Sequence, residues 1–172
     1  MPTLLGLPPI AGADACVLIL GSMPGAASLQ AGQYYAHPQN RFWPFMGALV
    51  GAHSILPYSD RVLRLRAAGI ALWDVIALCR RKGSMDSAIR DEVANDFDGF
   101  LAAHPGIGSV LFNGAKAHDS FVRGVLPALG PCELKLQRLP STSPANASQR
   151  DTVKLAAWRA ALLGAGARLT IG

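Results

Sequence analysis

Three short apolar runs and one alternating stretch, each closed by a residue that ends strands, set the rhythm of this chain. Residues 16–20 (CVLIL) run into Gly21, residues 70–73 (IALW) into Asp74, and residues 109–112 (SVLF) into Asn113 and Gly114; residues 133–139 alternate and stop at Pro140. β-Branched and aliphatic runs bounded by turn residues predict strands. Between them lie helical stretches. Asn40 can cap a helix to about Val50, with Pro44 in its first turn, where a missing N–H does no harm. A second helix fits residues 58–68, capped by Ser59 or Asp60 and ended by Gly69. Residues 96–104 form a short helix stopped by Pro105 and Gly106. Residues 115–125 are helical, 127–131 a turn, and a capping box of Ser148 and Asp151 opens a last helix to about Leu163. Residues 1–14 read as a lead-in, and residues 79–87 (CRRKGSMDS) as a polar, basic loop. Strands alternating with helices predict one three-layer α/β/α domain over residues 1–172, built on a central, mainly parallel four-stranded sheet.

Composition narrows the classes. A chain of 172 residues buries roughly 70% of its unfolded surface, so its core needs no staple. Hydrophobic residues make up 51% and charged ones 16%, which excludes disorder. No apolar run reaches the roughly 18 residues of a membrane span, and the first ten residues lack the pattern of a signal peptide, so a cytoplasmic protein is expected. Cys16, Cys79 and Cys132 are odd in number and scattered, which fits buried thiols rather than disulfides or a zinc site. The histidines show no metal-ligand spacing, so no metal is expected. Net charge is +5, a modest excess that suits a polyanion.

The chemistry gathers at strand ends. In an open parallel sheet, ligands bind where the loops leave the C-terminal ends of strands. The loops after Leu20, Phe112 and Leu139 would share that edge. The first holds Gly21, Ser22, Met23, Pro24 and Gly25, whose glycines let backbone N–H groups approach a ligand closely. It lacks the spacing of a phosphate-binding loop. Tyr34, Tyr35, His37, Gln39, Asn40, Arg41, Phe42 and Trp43 follow, denser in aromatic and polar groups than packing requires.

Four blocks, GSMPG, YYAHPQNRFWP, LFNGAKA and LPSTSPANAS, stand in the order found in the uracil-DNA glycosylase superfamily, which the chain resembles from Gly21 to Ser148. Within it, the likeness is to the hypoxanthine-DNA (deoxyinosine) glycosylase branch. That resemblance implies a monofunctional enzyme with no metal and no nucleotide cofactor. It would act on DNA containing a deaminated base, flip the nucleotide, and hydrolyse its N-glycosidic bond in base excision repair. No obligate protein partner and no membrane are implied. Tyr35 matches the family's stacking aromatic, with Tyr34 as the alternative, and His37 stands beside it. The turn at residues 21–25 would donate N–H groups to the charge on the departing base. Asn113 would meet the lactam edge of hypoxanthine, N1–H and O6, because a carboxamide carries a donor beside an acceptor.

Met23 stands where many members of the superfamily have an Asp or Asn that positions the water. Resemblance to the hypoxanthine branch moves the main catalytic load to Asn113, with Ser22 a weak water holder and Asp74 a further candidate. The fourth block would enter the DNA: Ser141, Thr142 and Ser143 on phosphates, and Pro144, Ala145 and Asn146 in the gap left by the base, with no large wedge. Other readings stay open. Asn113 and Gly114 also make a good strand-ending turn. Uracil presents an equivalent N3–H and O4 edge, so a uracil or mismatch glycosylase fits the same residues. A non-catalytic nucleic-acid-binding member of the fold fits the missing acid.

Overall fold

The computed structural model describes residues 1–145 and 147–170. In chain order the elements are β1 (Thr3–Leu5), β2 (Val17–Gly21), α1 (Ala26–Ala31), α2 (Phe42–Val50), α3 (Tyr58–Ala67), β3 (Ile70–Asp74), β4 (Ile76–Arg80), β5 (Arg90–Ala94), α4 (Phe97–Ala103), β6 (Ser109–Asn113), α5 (Ala115–Gly124), α6 (Leu126–Leu129), β7 (Lys135–Leu139) and α7 (Asp151–Gly164). β3, β2, β6 and β7 form the central sheet in that order, with every pairing parallel. The four strands are those that the three apolar runs and the alternating stretch predict, β7 starting at Lys135 rather than Glu133.

β2 is fully buried because helices cover both faces of the sheet, and such strands read as unbroken apolar runs. Val17 and Ile19 enter one core with α2, α3 and α7; Leu18 and Leu20 enter another with α4, α5 and β4. α2 is apolar on nearly all sides and is buried accordingly. α5 is amphipathic, and buries Ala117, Ser120 and Phe121 on one stripe.

A second sheet departs from the sequence reading. β1, β4 and β5 pair antiparallel in the order β1-β4-β5. Residues 1–14 are therefore more than a lead-in: Thr3–Leu5 pair with β4, and Ile10 bridges Leu72. Cys79 and Arg80 belong to β4, so the basic loop starts at Arg81. β5 (RDEVA) is exposed along most of its length and carries no apolar signal, and charges of this kind protect an edge strand from further pairing.

Several helix ends also differ. The N-cap of α2 is Arg41; Asn40 stands one residue before it, and its Oδ1 accepts from Phe42 N at 2.9 Å. α3 starts after Pro57, which leaves Ser59 and Asp60 inside the helix. Residues 126–129 coil into α6 where a turn is expected. The N-cap position of α7 is Arg150, which makes no side-chain cap bond, and this moves Asp151 from the third helical position to the first; there it pairs with Arg41 at 2.9 Å. No helix among the described residues is long and apolar enough to cross a membrane.

Candidate active site

Strand register builds the floor of the site. Gly21 pairs with Asp74 on one side, and on the other Asn113 follows the Leu20–Phe112 pair. Side chains in register across parallel strands share a face, so Asp74, Gly21 and Asn113 form one row along the C-terminal edge. Glycine leaves the middle of that row open.

Tyr35 fills the opening. Its backbone takes φ +53°, a left-handed conformation that a bulky residue adopts only under constraint from its surroundings. One ring face lies on Phe42, centroids 4.2 Å apart and 24° from coplanar. The hydroxyl reaches down over Gly21, where an added Cβ would come within 2.8 Å of it. Tyr34 points elsewhere and is buried, its hydroxyl donating to Pro8 O at 2.6 Å and its carbonyl accepting from Trp43 Nε1. Of the two tyrosines, only Tyr35 faces the row. Burial and then the Asp74 charge raise the pKa of the Tyr35 hydroxyl well above the usual phenol range, while the neighbouring Asn113 side chain acts the other way.

Asn113 is held by a reciprocal pair of bonds. Its Nδ2 donates to Thr142 Oγ1 at 2.9 Å, and its Oδ1 accepts from Thr142 N at 2.9 Å. The main-chain donor fixes which end of the amide is oxygen. One Nδ2 hydrogen and one Oδ1 lone pair remain, side by side. Thr142 is 1% exposed, and both its groups turn inward, so it is a brace for Asn113 rather than a phosphate contact. Replacing Thr142 by valine keeps the shape and removes one acceptor; a stability loss of about 1 kcal/mol is expected, hence a Tm roughly 2–4 °C lower, together with slower base release because the Asn113 amide keeps only one of its two bonds. Single-turnover kinetics with thermal melts test this.

The first turn is clasped from outside. Ser22 Oγ donates to Asp86 Oδ1 at 2.7 Å, Ser84 Oγ accepts from Ala26 N at 3.0 Å, and Arg81 donates to Pro24 O at 2.5 Å. Ser22 therefore commits its hydrogen to Asp86 and is a tether, not a free water holder. Met23 packs into the core below β2, so it meets a ligand only through its backbone. Pro24 has no N–H, which leaves the N–H groups of Ser22, Met23 and Gly25 as the turn's donors. Of the basic cluster, Arg81 is buried, and Arg80 and Lys82 are exposed. Sequence reasoning missed Asp86, which carries no motif. Asp74 is buried at the end of β3; burial, then the charge of Asp86, push its carboxyl up to about 7 against the pull of Arg81.

The third loop is anchored at its base. Trp158 Nε1 donates to Pro140 O at 3.0 Å and Lys154 Nζ to Ser141 O at 2.8 Å. Ser141 Oγ and Ser143 Oγ accept from the backbone N–H of Ser143 and Ala145, which rounds the loop into successive turns. Pro144 and Ala145 are exposed at its tip, and Asn146 lies outside the described residues. Gly114 closes the corner at φ +95°, with Ser141 Cβ 3.1 Å from where its own Cβ would stand. His37 is exposed on the rim, its Nδ1 accepting from Gln39 N. A groove lined by Leu101, Pro105, Ile107, Leu129 and Cys132 opens at the other edge of the sheet, beside Gly108 and far from these groups.

The family model of the Uracil DNA glycosylase superfamily matches residues 8–163. Two relatives named hypoxanthine DNA glycosylase come from Methanosarcina species. That of Methanosarcina barkeri is 38% identical over 142 residues, 82% of this chain and 87% of the relative. That of Methanosarcina acetivorans is 37% identical over 144 residues, with the same two coverages. A solution NMR structure from Methanosarcina acetivorans, assigned provisionally by its name to the uracil DNA glycosylases, superposes with a TM-score of 0.79 at 32% identity. The match covers 95% of this chain and 99% of that one.

Proposed function

Because the chain belongs to the uracil-DNA glycosylase superfamily, we propose that it is a monofunctional DNA glycosylase that removes hypoxanthine from deoxyinosine. The names of the two Methanosarcina relatives support this substrate. One observation carries the reading: Thr142 holds the Asn113 amide in a single orientation, with one donor and one acceptor left over. Hypoxanthine offers the complement, N1–H and O6. Adenine offers the reverse and leaves both partners unmatched, and a site built on paired hydrogen bonds rejects such analogues strongly.

The remaining groups have roles in the same step. The flipped base lies on the face of Tyr35 opposite Phe42. The turn's N–H groups and Asn113 Nδ2 stabilise the negative charge that the base gains as the bond to C1′ breaks. Water forms the new bond to C1′, the bonding pair leaves with the base, and the water's proton passes to solvent. Ser141 and Ser143, with the exposed Pro144 and Ala145, face the DNA, and phosphate contacts there fix register without reading sequence. We place the reaction in the cytoplasm, where the free Cys16, Cys79 and Cys132 stay reduced.

The test is a set of end-labelled duplexes carrying inosine, uracil, xanthine or adenine at one position, treated with the protein and then alkali. Cleavage at inosine above the other three is expected. Preferential cleavage at uracil would keep the enzyme class and replace the substrate.

A further inference from the structure

The row that carries Asn113 contains a carboxylate that none of these steps of base release uses. Asp74 flanks Gly21 on one side as Asn113 flanks it on the other, and neighbouring strands lie about 4.8 Å apart. Tyr35 Oη enters the slot between them: a Cβ on Gly21 would stand 2.8 Å from Oη and would collide with Asp74 Oδ1. Tyr35 Oη and Asp74 Oδ2 are both buried, and neither has a hydrogen-bond partner among the described residues. Polar atoms left in that condition are costly, and a hydroxyl beside a carboxyl can relieve both.

We propose that Asp74 is a positioning residue for base release, acting through the Tyr35 hydroxyl. Ionised, Asp74 accepts the hydroxyl hydrogen, and the Tyr35 lone pairs turn to Asn113 Nδ2, competing with the base for its free hydrogen. Protonated, Asp74 donates to Tyr35 Oη, and the hydroxyl hydrogen turns to the pocket. There it joins Asn113 as a donor to the charge gathering on the leaving base. The proton on Asp74 thus sets the polarity of the chain from carboxyl to pocket. The inference rests on the glycosylase reading of this site.

The charged and titratable groups around Asp74 come from two segments. Asp86 from the turn after β4 raises its proton affinity, Arg81 from the same loop lowers it, and Tyr34 and Tyr35 enter from the segment before α2. Burial outweighs Arg81 and holds the carboxyl at about 7, so both states are populated at neutral pH. The carboxyl is protonated below that value and ionised above it. The rate of base release is therefore expected to fall about tenfold between pH 6 and pH 8.

Single-turnover rates on an inosine duplex, measured from pH 5.5 to 8 for the full chain, Asp74→Asn and Tyr35→Phe, test the proposal. The decline should be present in the parent and absent from both variants. In parallel, ring-carbon NMR of labelled tyrosine should give Tyr35 a midpoint near pH 7 that Asp74→Asn removes. A decline that persists in Asp74→Asn, or one that survives in Tyr35→Phe, overturns the proposal: the first assigns the titration elsewhere, and the second lets Asp74 act without Tyr35. A chain that releases no base from any duplex refutes the glycosylase reading instead, and the Tyr35 midpoint still decides whether the two residues are coupled.

Discussion

Asn113→Ala is expected to lower the single-turnover rate of base release from an inosine duplex by about 10²–10³-fold, the usual cost of removing one donor from a developing anion. The loss comes from the free Nδ2 hydrogen and the free Oδ1 lone pair, which alanine cannot replace. Thr142 is part of the same account. It is buried, and alanine leaves its N–H and hydroxyl without the partners they have here, at a cost of about 1–3 kcal/mol of stability. Asn113→Asp separates the two effects. A carboxylate still accepts from Thr142 N–H, so less stability is lost, but it offers no donor and sets a negative charge against the leaving base. It should therefore be at least as inactive as the alanine variant while melting closer to the parent. An active Asn113→Asp would mean that donation from this side chain is not what drives the reaction.

Trp158→Ala is expected to cost about 3–5 kcal/mol of folding stability, the range for deleting a large buried aromatic. Trp158 is fully buried, stands edge-on to Phe42 with centroids 6.3 Å apart, and donates to Pro140 O. Phe42 in turn carries Tyr35. One indole therefore supports both the Tyr35 ring, through Phe42, and the base of the loop after β7. Trp158→Phe refills most of the space without the N–H, so it should recover most of the stability while leaving the Pro140 carbonyl short of its donor. Urea unfolding measures the first effect, and the affinity for an inosine duplex, compared at a temperature where both variants are folded, measures the second. A phenylalanine variant that binds DNA as the parent does would show that packing alone positions the loop.

The parts of the fold that could be read from sequence are those where one physical signal dominates. β2, β3 and β6 are buried on both faces and stop at a turn residue, so an apolar run and its punctuation suffice; β7, an edge strand exposed along most of its length, was legible from its alternation and the proline that follows. The second sheet gives no such signal: β1 is three residues long, β4 follows Val75 with no glycine or proline to mark the corner, and β5 is polar because it is an exposed edge. In the candidate site, the place of Asn113 at the C-terminal end of a strand was legible because the apolar run stops there. Tyr34 and Tyr35 are equivalent as letters, and only the left-handed backbone at Tyr35 turns one of them to the row. Thr142 read as a phosphate contact because an isolated hydroxyl on a loop gives no sign of its direction; the bond to Asn113 spans 29 positions and depends on the β6–β7 pairing. Asp86 was hidden for the same reason, its partner Ser22 lying 64 residues away.

The most direct test of the central claim is to incubate the protein with a duplex containing a single inosine and measure free hypoxanthine by chromatography, alongside alkali-labile sites at the same position. Free base and labile sites appearing in equal amounts are the expected result. DNA that is bound while no base is released would contradict the account and make this chain a binding protein on a glycosylase fold.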